Sequence, residues 1–257
     1  MPLILVTNDD GINSDGLIAL YMAMRDVGDA VVVAPDREKS AVGHALTMHR
    51  PLKVERLNEN IYTVNGTPTD CVVVAVEKLL DKKPDILVSG INRGANLGDD
   101  ITYSGTVSAA IEGTLLGIPS VAISMVYEDG QPMRYETASN FAKRLVRFIL
   151  DRGLPDDTLL NVNVPNVDEK EIRGVKFTRQ GKRVYDNAIH ETYDPWGRKH
   201  YWIGGGTPSW SSDNDTDITA ITKKYISITP LHLDLTNYEA LRFIKDRWHE
   251  LTDEKPL

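Results

Sequence analysis

The sequence predicts an α/β fold, a parallel sheet with helices on both faces. Three observations carry that prediction. Leu3-Ile4-Leu5-Val6 and Ala30-Val31-Val32-Val33-Ala34 are short unbroken apolar runs, as expected of strands buried on both sides. Helical segments with recognisable starts alternate with such runs through the first half, which implies right-handed crossovers. Clusters rich in Asp, Asn and Gly follow the runs, at the sheet edge where open α/β folds hold ligands.

The elements follow in order. Residues 3–7 read as the first strand. Ser14 caps a helix running to about Val27, with Leu17, Leu20, Tyr21 and Met24 on one face. Residues 30–34 form the next strand, stopped by Pro35, and residues 52–55 and 61–64 read as a hairpin laid over the top of the sheet. Thr67-Pro68-Thr69-Asp70 combines a cap, a first-turn proline and a first-turn acid, so it starts a helix that reaches about Leu80. Residues 85–89 are a third parallel strand. Residues 90–103 lack apolar periodicity, and a long irregular stretch inside a compact domain is usually functional. Ser104 opens a helix ending near Gly117, and Pro119 leads into a strand over 121–124.

The second half is less regular. Residues 135–151 are an amphipathic helix and 159–164 alternate as a strand. Residues 170–183 carry six basic side chains, and the stretch 185–210 is aromatic and turn-rich. It reads either as an arm packing on another subunit or as a solvated basic hairpin. Residues 225–230 form a late strand, and 237–251 a final helix with Leu241, Ile244 and Trp248 on its buried side. The chain divides into a core over about 1–165 and an extension over about 166–257, within one domain.

Composition narrows the function. A chain of 257 residues with 41% hydrophobic and 26% charged residues can bury a substantial core. A formal net charge of -8 argues against a nucleic-acid polymer as partner, but not against a small phosphate ester. No apolar stretch reaches bilayer-spanning length and the amino end lacks a basic region, so a cytoplasmic protein without a membrane partner is expected. The one cysteine, Cys71, lies in a valine-rich run and reads as a buried small hydrophobe.

The chemistry is concentrated in Asn8-Asp9-Asp10-Gly11, directly after the first strand. Two carboxylates converging at about 5 Å repel by about 3 kcal/mol at an effective dielectric near 20, and a hard divalent cation offsets that cost. Read alone, the tetrapeptide also suits a turn and a helix cap. The clusters Pro35–Ser40 and Ser89–Asn96 follow the second and third strands, so a shared sheet edge brings them to the acid pair. Two carboxylates, an amide oxygen and a hydroxyl form an oxygen set suited to Mg²⁺ or Mn²⁺. Ser104-Gly105-Thr106 offers helix N–H groups and hydroxyls to an anion, or an ordinary cap. No histidine cluster has zinc spacing, and Gly90, Gly94 and Gly98 fit neither a dinucleotide fingerprint nor a phosphate loop. His44 lies near Ser40, open to a packing or a substrate role. A signalling receiver also carries an early acid pair, but it needs an aspartate after the third strand, where Ser89-Gly90 stands.

The stretches ILVTNDDGINSDG, VVAPDREKSAVGHALT, VNGTPTDCV, PDILVSGINRGANLGDDITYSGTVSAAIEG, LNVNVP and YISITPLHLDLT together resemble the SurE family of metal-dependent 5′/3′-nucleotidases, in order along almost the whole chain. The resemblance implies a Rossmann-like three-layer sheet with a C-terminal extension, a hairpin arm and helix, used to build homodimers or homotetramers. It implies one divalent cation per subunit, Mg²⁺ or Mn²⁺, held by Asp9, Asp10, Ser40 and Asn92. It implies a phosphate pocket of Asn96, Ser104, Gly105 and Thr106 with Asn8 beside the metal pair, and Asp9, Asp10 and Asn96 as the catalytic set. The expected reaction is hydrolysis of nucleoside monophosphates, with a tolerance that extends to short polyphosphate. A non-catalytic protein binding metal and nucleotide would present the same donors.

Overall fold

The computed structural model describes residues 1–127, 130–184, 189–203, 209–210, 213–248 and 251. The chain begins β1 (Leu3–Thr7), α1 (Asp15–Arg25), β2 (Asp29–Pro35), β3 (Val54–Asn58), β4 (Ile61–Val64), α2 (Pro68–Val74). It continues β5 (Ile86–Arg93), α3 (Gly105–Leu115), β6 (Ser120–Met125), α4 (Tyr135–Arg152), β7 (Thr158–Val164). Then come β8 (Val175–Phe177), β9 (Arg183–Val184), β10 (Ile189–Tyr193), β11 (Lys199–Ile203), β12 (Ser209–Trp210), α5 (Asp217–Thr222), β13 (Ile226–His232) and α6 (Tyr238–Arg247). The main sheet has the order β3-β4-β2-β1-β5-β6-β7-β13-β8. From β4 to β7 every neighbour is parallel, while β13 runs antiparallel to β7 and β3 antiparallel to β4.

Alternation along the strands builds two cores. Ile4 and Val6 face one layer with Leu17, Leu20 and Met24 of α1 and Ala138, Ala142 and Val146 of α4. Leu3 and Leu5 face the other, with Cys71 and Val72 of α2 and Val107, Ala109 and Ala110 of α3. The expected caps are in place: Ser14 Oγ accepts from Leu17 N–H, and Thr67 with Asp70 forms a capping box on α2. After α2 the chain continues as a π-helical turn, Ala75–Leu79. Among the described residues no helix is long and apolar enough to cross a membrane.

Four features differ from the sequence reading. The hairpin does not lie over the sheet; β4 pairs with β2, and β3–β4 extend the sheet edge. Residues 90–93, expected to begin a loop, continue β5 past a register shift between Ser89 and Asn92, and the stretch then makes a 3₁₀ turn, Gly98–Thr102. β8 and β13 lie beyond residue 165 yet join the main sheet, so the extension supplies two of its strands. No residue of α6 is buried: Leu241 and Ile244 are each 37% exposed and Trp248 is 52% exposed. The apolar stripe is real, but it is not part of this chain's core. Of the last predicted helix, residues 249 and 250 lie outside the described residues.

The predicted arm includes the antiparallel hairpin β10–β11, which carries exposed Ile189, Tyr193, Trp196, Tyr201, Trp202 and Ile203. Residues 185–188 and 204–208 of its span lie outside the described residues. The basic stretch before it is partly neutralised within the chain, with Arg179 pairing to Asp213 at 2.6 Å and to Asp215 at 2.9 Å.

Candidate active site

Parallel strands release their side chains at one edge, and the acid pair emerges there. Asp9 and Asp10 follow β1, and the Asp9 carbonyl accepts Lys39 N–H at 2.7 Å, tying the loop after β2 alongside. Gly11 turns the chain away with φ +94°, and a β-carbon there would meet the Arg37 backbone at 2.8 Å. Asn8 is fully buried beneath this turn, its amide donating to the Gly11 carbonyl at 3.0 Å and to Ser14 Oγ at 2.8 Å.

Asp9 is 5% exposed. Its Oδ1 accepts the Thr106 hydroxyl at 2.5 Å, and the nearby Thr106 backbone N–H also favours the charged carboxylate. α3 therefore directs its positive N-terminal end at Asp9, the anion that it holds within the chain. Gly105 permits the approach, since a β-carbon there would lie 2.7 Å from Asp9 Cβ. Burial nevertheless dominates and, with repulsion from Asp10 added, pushes Asp9 up to about 6 against the Thr106 hydrogen bonds. Asp10 is raised too, by burial first and by Glu38 next, although Oδ2 accepts Arg93 N–H at 3.0 Å.

One open cavity of about 800 Å³ lies over these groups. Asp9, Asp10, Ser40, Asn92, Asn96 and Ser104 all line it, although they come from separate segments. Ser40 is exposed and donates to Glu38 Oε1 at 2.6 Å. The Asn92 amide nitrogen donates to the Gly94 carbonyl at 2.9 Å, which leaves its oxygen for the cavity. Ser104 lines the cavity while its Oγ caps α3, accepting Val107 N–H at 3.1 Å. Asn8, Gly105 and Thr106 do not line it. Thr106 bonds to Asp9, Gly105 packs on Asp9 and Asn8 braces the turn, so these three expected phosphate contacts stand directly behind the acid pair.

The cavity's charge is strongly negative. Asp15, Glu38 and Asp100 join the acid pair on its walls, and among the described lining residues the basic one is Arg93, whose guanidinium lies 4.3 Å from the Tyr127 ring centroid. A phosphate dianion entering that field is repelled unless a cation accompanies it. Among the described residues no group of three or more His, Cys, Asp and Glu is arranged to hold a metal ion. The oxygen set of Asp9, Asp10, Ser40 and Asn92 mixes carboxylates with a hydroxyl and an amide, and that chemistry suits a hard cation. Its fit is supported by two carboxyls whose pKa values rise because burial and neighbouring acids disfavour their charge.

The structure adds residues that the sequence did not single out. Asn161, Asn163 and Ser124 are fully buried and bond to Asn96. His44 Nε2 lies 2.8 Å from Glu112 Oε2 and fastens the loop carrying Ser40 to α3, which resolves its role as an anchor outside the cavity lining. Asparagines at alternating positions of a strand covered on both faces were the available signal for the first group, because such positions are otherwise apolar. No comparable signal marks Glu112, which lies in an ordinary helix.

Comparison with known proteins points to one family. The family model described as Survival protein SurE matches residues 4–187. The 5′-nucleotidase SurE of Geobacter sulfurreducens is 55% identical over 242 residues, covering 94% of this chain and 92% of that protein. The 5′-nucleotidase SurE of Geotalea uraniireducens is 54% identical over 246 residues, covering 95% and 98%. The crystal structure of the SurE protein from Aquifex aeolicus superposes with a TM-score of 0.87 at 46% identity, over 98% of this chain and all of that one.

Proposed function

The chain belongs to the SurE family, and we propose that it is a divalent-metal-dependent phosphomonoesterase that converts nucleoside 5′- and 3′-monophosphates to nucleoside and phosphate. The observation that carries this reading is the meeting, in one cavity, of a buried acid pair with the side chains of Ser40, Asn92, Asn96 and Ser104. The similar proteins named 5′-nucleotidase support the substrate class. Tolerance of short polyphosphate belongs to the same reading, because the cavity, at about 800 Å³, is larger than a phosphate group.

Asp9, Asp10, Ser40 and Asn92 would hold one Mg²⁺ or Mn²⁺. When bound, the cation supplies charge neutralisation at the phosphoryl oxygens and acidity for the attacking water. The chain does the rest. Asn96 and Ser104 face the cavity and hold phosphoryl oxygens. Thr106 fixes Asp9 Oδ1, leaving Oδ2 for the cation. The water oxygen bonds to phosphorus as the ester P–O bond breaks, and the proton that the water sheds passes to the ester oxygen, which departs as the nucleoside hydroxyl. Asn8, Gly105 and Thr106 serve the reaction through Asp9 and its turn.

Homo-oligomerisation, as a dimer or tetramer, is part of the proposal. It is supported by the exposed apolar stripe of α6 and the aromatic hairpin β10–β11. The net charge of -8 supports small anions brought in with a cation, and not nucleic-acid polymers, as substrates.

The deciding experiment measures inorganic phosphate released from a panel of 5′- and 3′-monophosphates in Mg²⁺, Mn²⁺ or chelator. Turnover that chelation abolishes and Mn²⁺ restores supports the proposal. Nucleotide binding without phosphate release at any metal concentration would identify a non-catalytic binder.

A further inference from the structure

Asn96 is held by an unusual amount of buried polar structure. Its backbone N–H donates to Asn163 Oδ1 at 2.9 Å. Its carbonyl accepts from Asn163 Nδ2 at 3.0 Å and from Asn161 Nδ2 at 2.9 Å. Its side-chain Nδ2 donates to Ser124 Oγ at 2.7 Å. Asn161, Asn163 and Ser124 are all 0% exposed, on neighbouring strands β7 and β6.

The register explains how these groups meet. Asn92 of β5 pairs with Ser124 of β6, and Ser124 pairs with Asn163 of β7, so a polar row crosses the sheet just below the cavity. Val162 and Val164 point to the opposite layer and join the α1–α4 core. The row therefore occupies a face that helices and loops cover, where apolar side chains would pack with no desolvation cost. Fold stability alone does not call for this arrangement. One amide oxygen, Asn161 Oδ1, even lacks a hydrogen-bond partner among the described atoms. What the row achieves is the fixing of one cavity residue by backbone and side chain together.

We propose that Asn161, Asn163 and Ser124 are positioning residues that fix Asn96 for phosphoryl transfer. Asn163 and Asn161 set the position of its backbone, and Ser124 sets which edge of its amide faces the substrate. The inference rests on the assignment of Asn96 to the catalytic cavity. Displacing a group by about 1 Å in such a site costs on the order of 100-fold in rate. Loss of the Asn163 clamp should therefore act on kcat, leaving KM for the nucleotide nearly unchanged.

The test is a double-mutant cycle on phosphate release from AMP at saturating Mn²⁺, with Asn96→Ala, Asn163→Leu, Ser124→Ala and the two doubles containing Asn96→Ala. Asn163→Leu should lower kcat by about 30-fold and Ser124→Ala by about 5-fold, with less than about 3-fold change in KM. Added to Asn96→Ala, each should lower kcat by less than about 2-fold, because the residue they position is gone. Equal losses in both backgrounds, or no loss in the wild-type background, overturn the proposal. If Asn163→Leu does not fold, Ser124→Ala and its double decide alone, since that change deletes a single hydroxyl. Asn96→Ala with wild-type turnover would overturn the assignment of Asn96 and this inference with it. A crippled Asn96→Ala beside a fully active Asn163→Leu and Ser124→Ala would overturn the inference while leaving that assignment standing.

Discussion

Thr106, in the first turn of α3, donates its hydroxyl to Asp9 Oδ1 at 2.5 Å across 97 residues of sequence. The bond joins the end of β1 to the start of a helix on the other side of β5, and it supports a carboxylate that burial disfavours. Thr106→Val keeps the shape and removes the donor. Loss of a buried, charge-assisted hydrogen bond costs about 2 kcal/mol, so urea unfolding of the metal-free variant should show a drop of that size. Thr106→Ser should recover most of it, and turnover should follow the same order.

Gly105 is needed for that closeness. An alanine β-carbon would lie 2.7 Å from Asp9 Cβ and 2.9 Å from Oδ2. Overpacking of this kind costs about 1–3 kcal/mol. Gly105→Ala should lower kcat at least about 10-fold by shifting Asp9, with a lower melting temperature. An alanine variant of wild-type activity would show that Asp9 tolerates displacement.

Asp70 links the loop carrying Ser40 to α2. Its carboxylate accepts Thr47 N–H at 2.9 Å, the Thr47 hydroxyl at 2.6 Å and Thr67 N–H at 2.8 Å. Burial raises its pKa, but these hydrogen bonds outweigh it and hold the carboxyl below its ordinary value. The stabilisation is therefore complete above the unfolded-chain value near about 4 and is lost as pH falls through the lower folded value. Asp70→Asn should cost about 1–3 kcal/mol at neutral pH, and its gap to wild type should close in acid. Chemical denaturation from pH 7 to pH 3 measures both.

His44 and Glu112 fasten the same loop from its other side. Glu112→Ala leaves the ring without its partner and loosens the segment that brings Ser40 to the cavity. Mn²⁺ affinity should fall by about 3- to 10-fold, with the change in stability held within about 1–3 kcal/mol. A His44→Ala, Glu112→Ala double variant should be no weaker in Mn²⁺ binding than either single variant.

The fold was legible where physics acts locally. The unbroken apolar runs of β1 and β2 and the Ser14, Thr67 and Ser104 caps appear in the structure as the sequence implied. So was the sheet edge at which Asp9, Asp10, Ser40, Asn92, Asn96 and Ser104 meet. What escaped depended on long-range pairing. Gly90 and Asn92 have the composition of a loop, yet pairing with β6 draws them into β5. Asn161 and Asn163 alternate with valines, a pattern that reads as a solvent face, whereas the loop through Asn96 covers them. The bond from Thr106, expected beside a ligand anion, to Asp9 had no signal in the sequence, because 97 residues separate the two. α6 has the periodicity of a core helix, but its apolar stripe is not buried within one chain.

Everything turns on whether the strand-end cluster holds a dication. Mn²⁺ titration followed by electron paramagnetic resonance, on the full chain and on Asp9→Asn, tests this directly. One tightly bound ion per chain in the wild type, with affinity at least about 100-fold weaker in a folded Asp9→Asn, is the predicted result. A wild-type protein that leaves Mn²⁺ free in solution, or an Asp9→Asn variant that binds it equally well, would contradict the account.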